Sequence, residues 1–500
     1  MNVTYLQSKD NKKICSYNNI LLHSAYNPQK EAERFVQTIS SDFEPKYVAV
    51  TGPALSYCIP FLRAKFPNAK LIGIHYTTEF LSDNADWDKV IFSDKSVQMQ
   101  LYSYIGEEDA SSVLFLSWKP SESAFPAEYR ETWNEIKLFL TTSKNVLATR
   151  MFFNKRWTKN SIKFCNYVSK INSVSCDSNT PIVITASGSS LAGLLPTLKK
   201  FRNRFNLIAV SSSLYPLLYS NLIPDAVIST DGGYWAKKHL DVLEQFNVPP
   251  VPLFLSPESA ISIELLKKSP VIPLCYGDGI ETILLNFCKI PCVRAERNGT
   301  VSGTAAELAL ALTNTDVYVF GLDLVFSKGF QHTQPNSLEA QAATKDNRLR
   351  PLSTRTGIQG FDTGSLSVYK EWFSSREPAF EKRFIRVYEA NSPFSEHFGN
   401  IRELPHTAFE TRMQKAAKVQ KPFSVPKSGY IPQNNEKISE LLCQIKTKLM
   451  DAKKQNIPVT NLDEELVLWI KTVSLGEYLT LEKTKSPVND KIIKDFEDIL

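Results

Sequence analysis

The stretch PIVITASGSSLAGLLPTLKKF (residues 181–201) reads as an apolar strand, a tight turn and a helix. Its turn is Ser187-Gly188-Ser189-Ser190, where a glycine permits close backbone approach and the new helix offers unpaired N–H groups that favour an anion. Further apolar stretches alternate with helical patterns: FNLIAV, DAVIST, VPLFLS, VIPLCY, DVYVFG and RFIRVYEA. Near-continuous apolar strands between helices predict an α/β fold class with a mostly parallel sheet covered on both faces.

The flanking regions have patterns of their own. In KYVAVTGPALSYCIPFLRAKFPNAKLIGIHYTTEF (46–80), a strand, a glycine, a helix and a second strand predict an N-terminal Rossmann-like α/β domain. Glu79 then stands where a ribose ligand could bind, although a structural layer without a ligand is the favoured interpretation. One apolar helix face near the other end predicts a helical domain; it contains Ile438, Leu441, Leu442, Ile445 and Leu449.

These patterns predict three domains in the 500-residue chain. The first is the N-terminal α/β domain with a helical linker, residues 1–175. The second is the central Rossmann-like domain, residues 176–405, and the third is the C-terminal helical domain, residues 406–500.

Composition restricts the possible classes of function. Apolar residues make up 43% and charged residues 22%, as in ordinary soluble proteins, and the net charge of +6 is scattered, which argues against nucleic acid as a partner. No apolar run approaches the roughly 18 residues of a membrane span, and the start lacks a secretory signal, so we expect a cytoplasmic protein. The eight cysteines stand singly and predict reduced thiols without a zinc site.

Polar residues that directly follow the predicted strands are the candidates for chemistry, because ligands of parallel sheets bind at the carboxyl ends of strands. Asp231 follows DAVIST, and its carboxylate could hold a ribose hydroxyl, bind a metal, act as a base or simply cap an Asp-Gly turn. Asp323 follows DVYVFG. His332 lies in the loop beyond and is either an acid or base or an ordinary surface histidine.

The stretch GTVSGTAAELALALTNTDVYVFGLDL (residues 299–324) leads into the last of these strands. Thr304 and Glu307 fit a capping box, which predicts that the helix begins at Thr304. That cap does not explain the polar, glycine-containing run at 298–303. We expect this run to face a ligand, with the positive end of the helix directed into the site.

Several motifs together resemble one family. ITASGSSL, LIPDAVISTD, NGTVSGTAAELALAL, VYVFGLDLVFSKGFQHT and FDTGSLSVYKEWFSS occur in an order and spacing similar to those of the motility-associated factor (Maf) family of flagellin glycosyltransferases. LLHSAYNPQKEAERFV near the start resembles the N-terminal region of that family. The resemblance covers most of residues 20–400, and the middle region carries the specific motifs.

The resemblance implies a centre similar to bacterial CMP-sialic acid transferases and to the pterin-pyrophosphokinase-like domain family. It implies transfer of a nonulosonic, sialic-acid-like sugar from a CMP-sugar donor to Ser or Thr hydroxyls of flagellin in the cytoplasm. The middle region has no Asp-x-Asp metal motif, so we expect a metal-independent transferase without a cofactor, although Asp231 could still hold a cation. The catalytic residues would be His332 and Asp231. The residues in contact with the donor nucleotide would be Ser187, Gly188, Ser189, Ser190, Thr300, Ser302, Gly303 and Asp323.

The sequence departs from the family pattern at two places. The glycine-rich turn often reads Gly-Pro-Ser-Leu in the family, whereas here it reads GSSL (188–191). The catalytic histidine of the sialyltransferases lies near the segment that here reads GFDTGSL (360–366), which contains no histidine. The identity of the base therefore stays open between His332 and Asp231.

Two other functions stay open. A pterin-type pyrophosphokinase would transfer diphosphate from ATP and would need magnesium, which Asp231 and Asp323 could hold. A non-catalytic flagellin-binding protein on a transferase scaffold is the other alternative. The glycines and hydroxyls at the strand ends argue against it, since packing alone does not require them.

Overall fold

The computed structural model describes residues 3–83, 86–324, 330, 332–352, 369–370, 372–374, 378–389, 397–419, 423–427 and 434–500. The segment GFDTGSL lies outside the described residues. The chain divides into two compact units, Met1–Phe152 and Phe153–Leu500. The domain boundaries expected at 175/176 and 405/406 stay predictions.

The first unit contains a three-stranded antiparallel sheet, in the order β1-β2-β3, and a four-stranded parallel sheet, in the order β6-β5-β4-β7. Its elements are β1 (Thr4–Gln7), β2 (Lys13–Tyr17), β3 (Ile20–Leu21), α1 (Pro28–Gln37), β4 (Tyr47–Thr51), α2 (Ile59–Lys65), β5 (Lys70–His75), β6 (Lys89–Phe92), α3 (Val97–Ile105), β7 (Val113–Ser117), α4 (Lys119–Ala124) and α5 (Pro126–Tyr167), of which α5 contains the boundary between the units.

The turn after β4 was the expected ligand position of this unit. Gly52 has a positive φ of +63°, and a side-chain carbon placed on it would lie 2.6 Å from both Ser121 Cβ and Tyr76 Cε2. The Glu79 carboxylate accepts the Val3 N–H at 3.0 Å. Side chains of the unit itself thus fill the turn, and a backbone N–H of the same unit binds the Glu79 carboxylate, which supports the structural interpretation.

The second unit is built around one large sheet. Among the described residues this sheet has 11 strands, in the order β17-β16-β15-β9-β10-β11-β12-β13-β8-β18, with β14 beside β13. The strands are β8 (Lys170–Val174), β9 (Ile182–Thr185), β10 (Asn206–Val210), β11 (Ala226–Ser229), β12 (Leu253–Leu255), β13 (Pro270–Cys275), β14 (Val293–Arg294), β15 (Val317–Phe320), β16 (Phe384–Tyr388), β17 (Arg402–Pro405) and β18 (Ser424–Pro426). The pairs are parallel except β18 with β8. The predicted strands of the central region, and with them the α/β fold class, are confirmed.

Helices cover both faces of this sheet. They are α6 (Leu191–Lys200), α7 (Leu214–Tyr219), α8 (Tyr234–Gln245), α9 (Ile263–Lys268), α10 (Ile280–Phe287), α11 (Val301–Leu312), α12 (Ser337–Ala343), α13 (Pro378–Arg383), α14 (His406–Lys415), α15 (Asn435–Lys454), α16 (Glu464–Lys483) and α17 (Asp490–Glu497). In the described part of the chain, no helix has both the length and the apolar character needed to cross a bilayer.

Two hydrophobic cores result, one on each face of the sheet. In β9, Val183 belongs to one core, whereas Ile182 and Ile184 belong to the other, as expected for a strand buried on both sides. Leu441 on α15 and Trp469 on α16 are buried in the same core as Val183. The predicted apolar face of α15 is confirmed, and it packs into the core of the sheet.

The chain changes direction in the sheet at β9. From β9 it proceeds through β10, β11, β12 and β13 on one side, and later returns to place β15 and β16 on the other side. Thr185 and Phe320 are partners in register, so β9 and β15 end level with each other. Such a reversal of strand order forms the crevice in which open α/β sheets bind ligands.

The start of α11 differs from the prediction. Thr300 is the N-cap, with extended backbone (φ −140°, ψ 143°), and its hydroxyl accepts the Ser302 N–H at 3.3 Å. Thr304 lies inside the helix and is buried, with its hydroxyl donating to the Glu296 carbonyl at 3.4 Å. The predicted capping box at Thr304 is therefore wrong, because Thr300 takes that role four residues earlier and places Ser302 and Gly303 in the first turn.

Candidate active site

The turns after β9 and β15 lie side by side at the point where the strand order reverses. The Gly188 N–H donates to the Gly321 carbonyl at 2.7 Å. A side-chain carbon on Gly188 would lie 2.5 Å from that carbonyl oxygen, and one on Gly321 would lie 2.6 Å from the Ala186 carbonyl oxygen. Gly321 also has a positive φ of +69°. Both positions require glycine because two backbones approach each other closely.

Asp323 connects the second turn to the start of α6. Its Oδ2 accepts the Ser190 N–H at 2.8 Å and the Ser189 hydroxyl at 3.4 Å, and its Oδ1 accepts the Ser190 hydroxyl at 2.5 Å. Only 7% of the Asp323 surface is exposed. The helix N-terminus that the sequence suggested for a ligand anion therefore already faces a carboxylate of the protein, which suits the helix dipole in the same way.

Polar groups continue from this turn toward the loop that carries His332. The Thr333 N–H donates to the Ser187 carbonyl at 2.7 Å, and the Thr333 hydroxyl donates to the Gly188 carbonyl. The Ser212 hydroxyl donates to the Ser187 hydroxyl at 2.9 Å, and the buried Asn336 amide donates to the Ser212 carbonyl at 3.1 Å. The ends of β9 and β10 and the loop after β15 thereby form one hydrogen-bonded edge.

His332 lies beside a second histidine, His239 on α8. The ring centroids are 6.4 Å apart, with an angle of 53° between the planes. Burial lowers the pKa of His332 to about 4; burial and then the charge of His332 lower the pKa of His239 to about 4. Within the described ranges, the buried Nδ1 of His332 has no hydrogen-bond partner. Both rings are thus neutral at pH 7 and able to accept a proton.

Asp231 follows β11 and is exposed. Its Oδ1 accepts the Gly233 N–H at 2.8 Å, which is the turn-capping role that the Asp-Gly pair allowed. Burial and then the charge of Asp231 raise the pKa of Tyr369. A side-chain carbon on Gly299 would lie 3.8 Å from Tyr369 Cε1. The Tyr369 ring thus lies next to the segment before α11.

The third predicted group, Thr300, Ser302 and Gly303, forms the first turn of α11. The Gly303 N–H donates to the Thr300 carbonyl at 3.1 Å. A side-chain carbon on Gly303 would lie 3.0 Å from Trp372 Cζ3, so an indole covers this glycine. Ser302 is half-buried and belongs to the part of the turn that precedes the buried body of the helix.

Sequence reasoning missed an ionic cluster around Arg297. Its Nη1 and Nη2 donate to the two carboxylate oxygens of Glu258 at 2.8 and 3.0 Å. Its Nε and Nη2 donate to Asp278 at 2.9 Å each. Glu258 follows β12 and Asp278 follows β13, so both carboxylates occupy strand-end positions like that of Asp231. The rule that singled out Asp231 would have found them.

Glu281 lies behind this cluster and is fully buried. Burial raises its pKa, and the nearby Glu258 and Asp278 carboxylates raise it further. Its Oε1 accepts the Gly277 N–H at 3.2 Å, whereas its Oε2 has no hydrogen-bond partner in the described part of the structure. The cluster therefore pairs two carboxylates with one guanidinium and places a third carboxylate near them. No set of three or more His, Cys, Asp or Glu among the described residues has the arrangement of a metal site.

Comparison with known proteins agrees with this fold. A family profile described as "6-hydroxymethylpterin diphosphokinase MptE-like" matches residues 155–329. An uncharacterised protein of Treponema pallidum (strain Nichols) is 31% identical over 316 residues, which are 63% of this chain and 68% of the treponemal protein. This chain belongs to the same family as the treponemal protein.

A solved structure extends the similarity to the whole chain. The Maf glycosyltransferase from Magnetospirillum magneticum AMB-1 matches with a TM-score of 0.55 and 13% identity, covering 100% of this chain and 90% of that chain. At this identity the match shows a shared fold. The resemblance to the Maf family that the motifs suggested is confirmed at that level.

The MptE-like region of this Maf-type fold contains most of the predicted site. Residues 155–329 include the Ser187–Ser190 turn, Asp231, Arg297, the start of α11 and Asp323, whereas His332 lies beyond them. The structure brings the Ser187–Ser190 turn into direct contact with Asp323. Asp231, after β11, and the start of α11, after β14, lie at the same edge of the sheet.

Proposed function

We propose that the chain is a metal-independent cytoplasmic glycosyltransferase that moves a nonulosonic sugar from a CMP-sugar to Ser or Thr hydroxyls of flagellin. The observation that carries the proposal is the fold shared with a Maf glycosyltransferase over the whole chain, including both units. A crevice at the reversal of strand order, lined by hydroxyls and glycines, supports the same activity.

The start of α11 is the proposed position of the donor phosphate. The α6 turn already binds Asp323, so its role is to shape the crevice. The Ser187 hydroxyl accepts from Ser212 and can still donate to the ribose. Thr300, Ser302 and Gly303 stand at the positive end of a 12-residue helix. As the bond between the anomeric carbon and the phosphate oxygen breaks, the CMP phosphate gains negative charge, which this end and the Ser302 hydroxyl would stabilise.

Two groups are candidates to remove the proton of the acceptor hydroxyl. Asp231 is exposed and uses Oδ1 in its turn, so the carboxylate is accessible to a protein acceptor. His332 is neutral at pH 7 because burial lowers its pKa to about 4, but the residue is half-buried and therefore less accessible to a protein acceptor than Asp231. The geometry favours Asp231 as the base and leaves His332 as the second candidate.

A pterin-type pyrophosphokinase is the alternative activity, favoured by the MptE-like match over residues 155–329. That match covers part of the second unit, whereas the Maf-type fold covers the full chain. In this alternative, Asp231 and Asp323 would hold magnesium. Asp323 is occupied by Ser189 and Ser190, so the ion would have to replace these hydrogen bonds.

Calorimetric titration with CMP, beside ATP, GDP and UDP and with or without EDTA, separates these functions. Binding of CMP alone that EDTA does not weaken supports the transferase, and mass measurement of flagellin after incubation with a CMP-nonulosonic acid then tests transfer. Binding of ATP that depends on magnesium supports the pyrophosphokinase. Absence of binding by every nucleotide would favour a flagellin-binding protein without catalysis.

A further inference from the structure

The guanidinium of Arg297 connects three elements of the sheet edge. It forms a two-oxygen pair with Glu258 after β12 and another with Asp278 after β13, with distances of 2.8 to 3.0 Å. Paired contacts of this kind fix the direction of the guanidinium plane as well as its position. Three residues after Arg297, the chain reaches Thr300, the N-cap of α11.

The same guanidinium lies over two aromatic rings. Its central carbon lies 4.3 Å from the ring centroid of Tyr276 and 5.6 Å from that of Trp157. Trp157 also packs on the Asp231 turn, since a side-chain carbon on Gly232 would lie 2.5 Å from Trp157 Cδ1. Arg297 is thereby connected to the ends of β11, β12 and β13.

We propose that Arg297 is the positioning residue of the predicted nucleotide segment, holding residues 298–303 and the first turn of α11 against the sheet edge. This inference rests on the proposed CMP-sugar function. Arg297 acts through Thr300 and Ser302, because four of its five N–H groups are donated to Glu258 and Asp278.

The charge balance explains why an arginine stands here. The side chain of Glu258 is only 8% exposed, and the guanidinium of Arg297 compensates its negative charge. Without the guanidinium, Glu258 would face Asp278 and Glu281 as a like charge, and the segment that Arg297 anchors would lose its contact with β12 and β13. Lysine retains the positive charge but cannot form two planar pairs at once. The inference therefore predicts that Arg297→Lys does not rescue the function.

Arg202→Lys is a matched control. Arg202 pairs with Asp225 at 2.9 Å, and its side chain is 27% exposed, compared with 33% for Arg297. Arg202 and Asp225 precede β10 and β11, so they lie at the opposite edge of the sheet. The double variant Arg297→Met, Glu258→Gln removes both members of one pair and covers the case in which Arg297→Lys does not fold.

Two measurements on the full chain test the inference: CMP affinity by calorimetry, and amide hydrogen exchange of residues 298–304 by mass spectrometry. Arg297→Lys should weaken CMP binding by about tenfold, the equivalent of one lost hydrogen bond, and increase exchange by a similar factor. Its thermal midpoint should lie below that of Arg202→Lys, because the side chain of Glu258 is 8% exposed and that of Asp225 is 30% exposed. Arg202→Lys should retain wild-type exchange and affinity. The double variant should show the same increase in exchange.

The outcomes separate this inference from the proposed function. Wild-type exchange in Arg297→Lys overturns the positioning role, and weakened CMP binding together with wild-type exchange would instead indicate direct contact. Increased exchange with wild-type CMP affinity overturns the role in donor binding. If the wild-type protein does not bind CMP, the proposed function fails, and the exchange data alone then decide whether Arg297 holds the segment.

Discussion

The carboxylate of Asp323 accepts the backbone N–H of Ser190 at 2.8 Å, so a residue that follows β15 caps the helix that follows β9. This bond connects the two turns at the reversal of strand order. It also gives the start of α6 the negative charge that a ligand phosphate would otherwise supply. The hydroxyls of the turn thus border the crevice while its anion-binding groups are used within the protein.

Asp323→Ala should destabilise the second unit. The substitution leaves the Ser190 N–H and hydroxyl without their acceptor, which costs about 1–3 kcal/mol for buried polar groups. Urea unfolding measures the loss. Asp323→Asn retains one acceptor oxygen and should cost less, and Ser189→Ala removes only the longer 3.4 Å bond and should cost least. An Asp323→Ala protein as stable as the wild type would contradict the capping role.

Gly321 and Gly299 form a matched pair of glycines. Gly321→Ala should lower the thermal midpoint, because its positive φ costs about 1–2 kcal/mol for a residue with Cβ and that Cβ would lie 2.6 Å from the Ala186 carbonyl. Gly299→Ala should be tolerated, since the nearest atom lies 3.8 Å from the new carbon. Differential scanning calorimetry gives the thermal midpoints of the two variants. Equal midpoints would contradict the close approach of the turns after β9 and β15.

The donor pocket can be tested by removing single polar groups. Ser302→Ala and Asp231→Ala should each lower transfer to flagellin about tenfold or more while the thermal midpoint stays near that of the wild type. Ser302→Ala acts on CMP binding and Asp231→Ala on turnover, so calorimetry and the transfer assay distinguish them. Asp241→Ala, which breaks an ion pair of 3.2 Å with Lys238 on α8, is the control. Normal transfer by both variants would contradict the assignment of Ser302 and Asp231 to the donor pocket.

The strands were predictable because their information is local. Short apolar runs with buried residues on both faces have few other interpretations, and the run at 181–186 gave β9 within two residues. The start of α11 was not predictable from local sequence. Thr300 and Thr304 are both good N-caps, and sequence spacing alone favoured Thr304. The extended backbone at Thr300 makes that residue the N-cap. Glu307, expected to reach back to Thr304, instead accepts from the Asn298 amide at 3.5 Å.

The contents of the site were predictable only in part. Strand-end residues were found because parallel strands end at one edge, but their partners come from distant positions. Ser190 and Asp323 are separated by 133 residues, and Arg297 and Glu258 by 39. No local pattern shows that a carboxylate will cap α6 or that Arg297 will pair twice. His239 was missed because it lies within a helix and becomes relevant only beside His332.

The paired histidines predict how stability depends on pH. His239 and His332 have pKa values of about 4 in the folded protein, whereas an unfolded chain would protonate them near their ordinary value of 6.5. Between these values the unfolded chain binds more protons, so stability falls as pH decreases from 6.5 toward 4 and changes little above 6.5 from this source. Each ring can contribute up to about 3 kcal/mol of that loss, less for the second because the two interact.

His239→Gln should therefore flatten this acid loss. Urea unfolding of the wild type and the variant at pH 7.5 and pH 5 measures it, and the difference in unfolding free energy between the two pH values should be smaller in the variant. His397→Gln is the control, because the side chain of His397 is 77% exposed. A variant that loses as much stability as the wild type between these pH values would show that His239 is not held neutral beside His332.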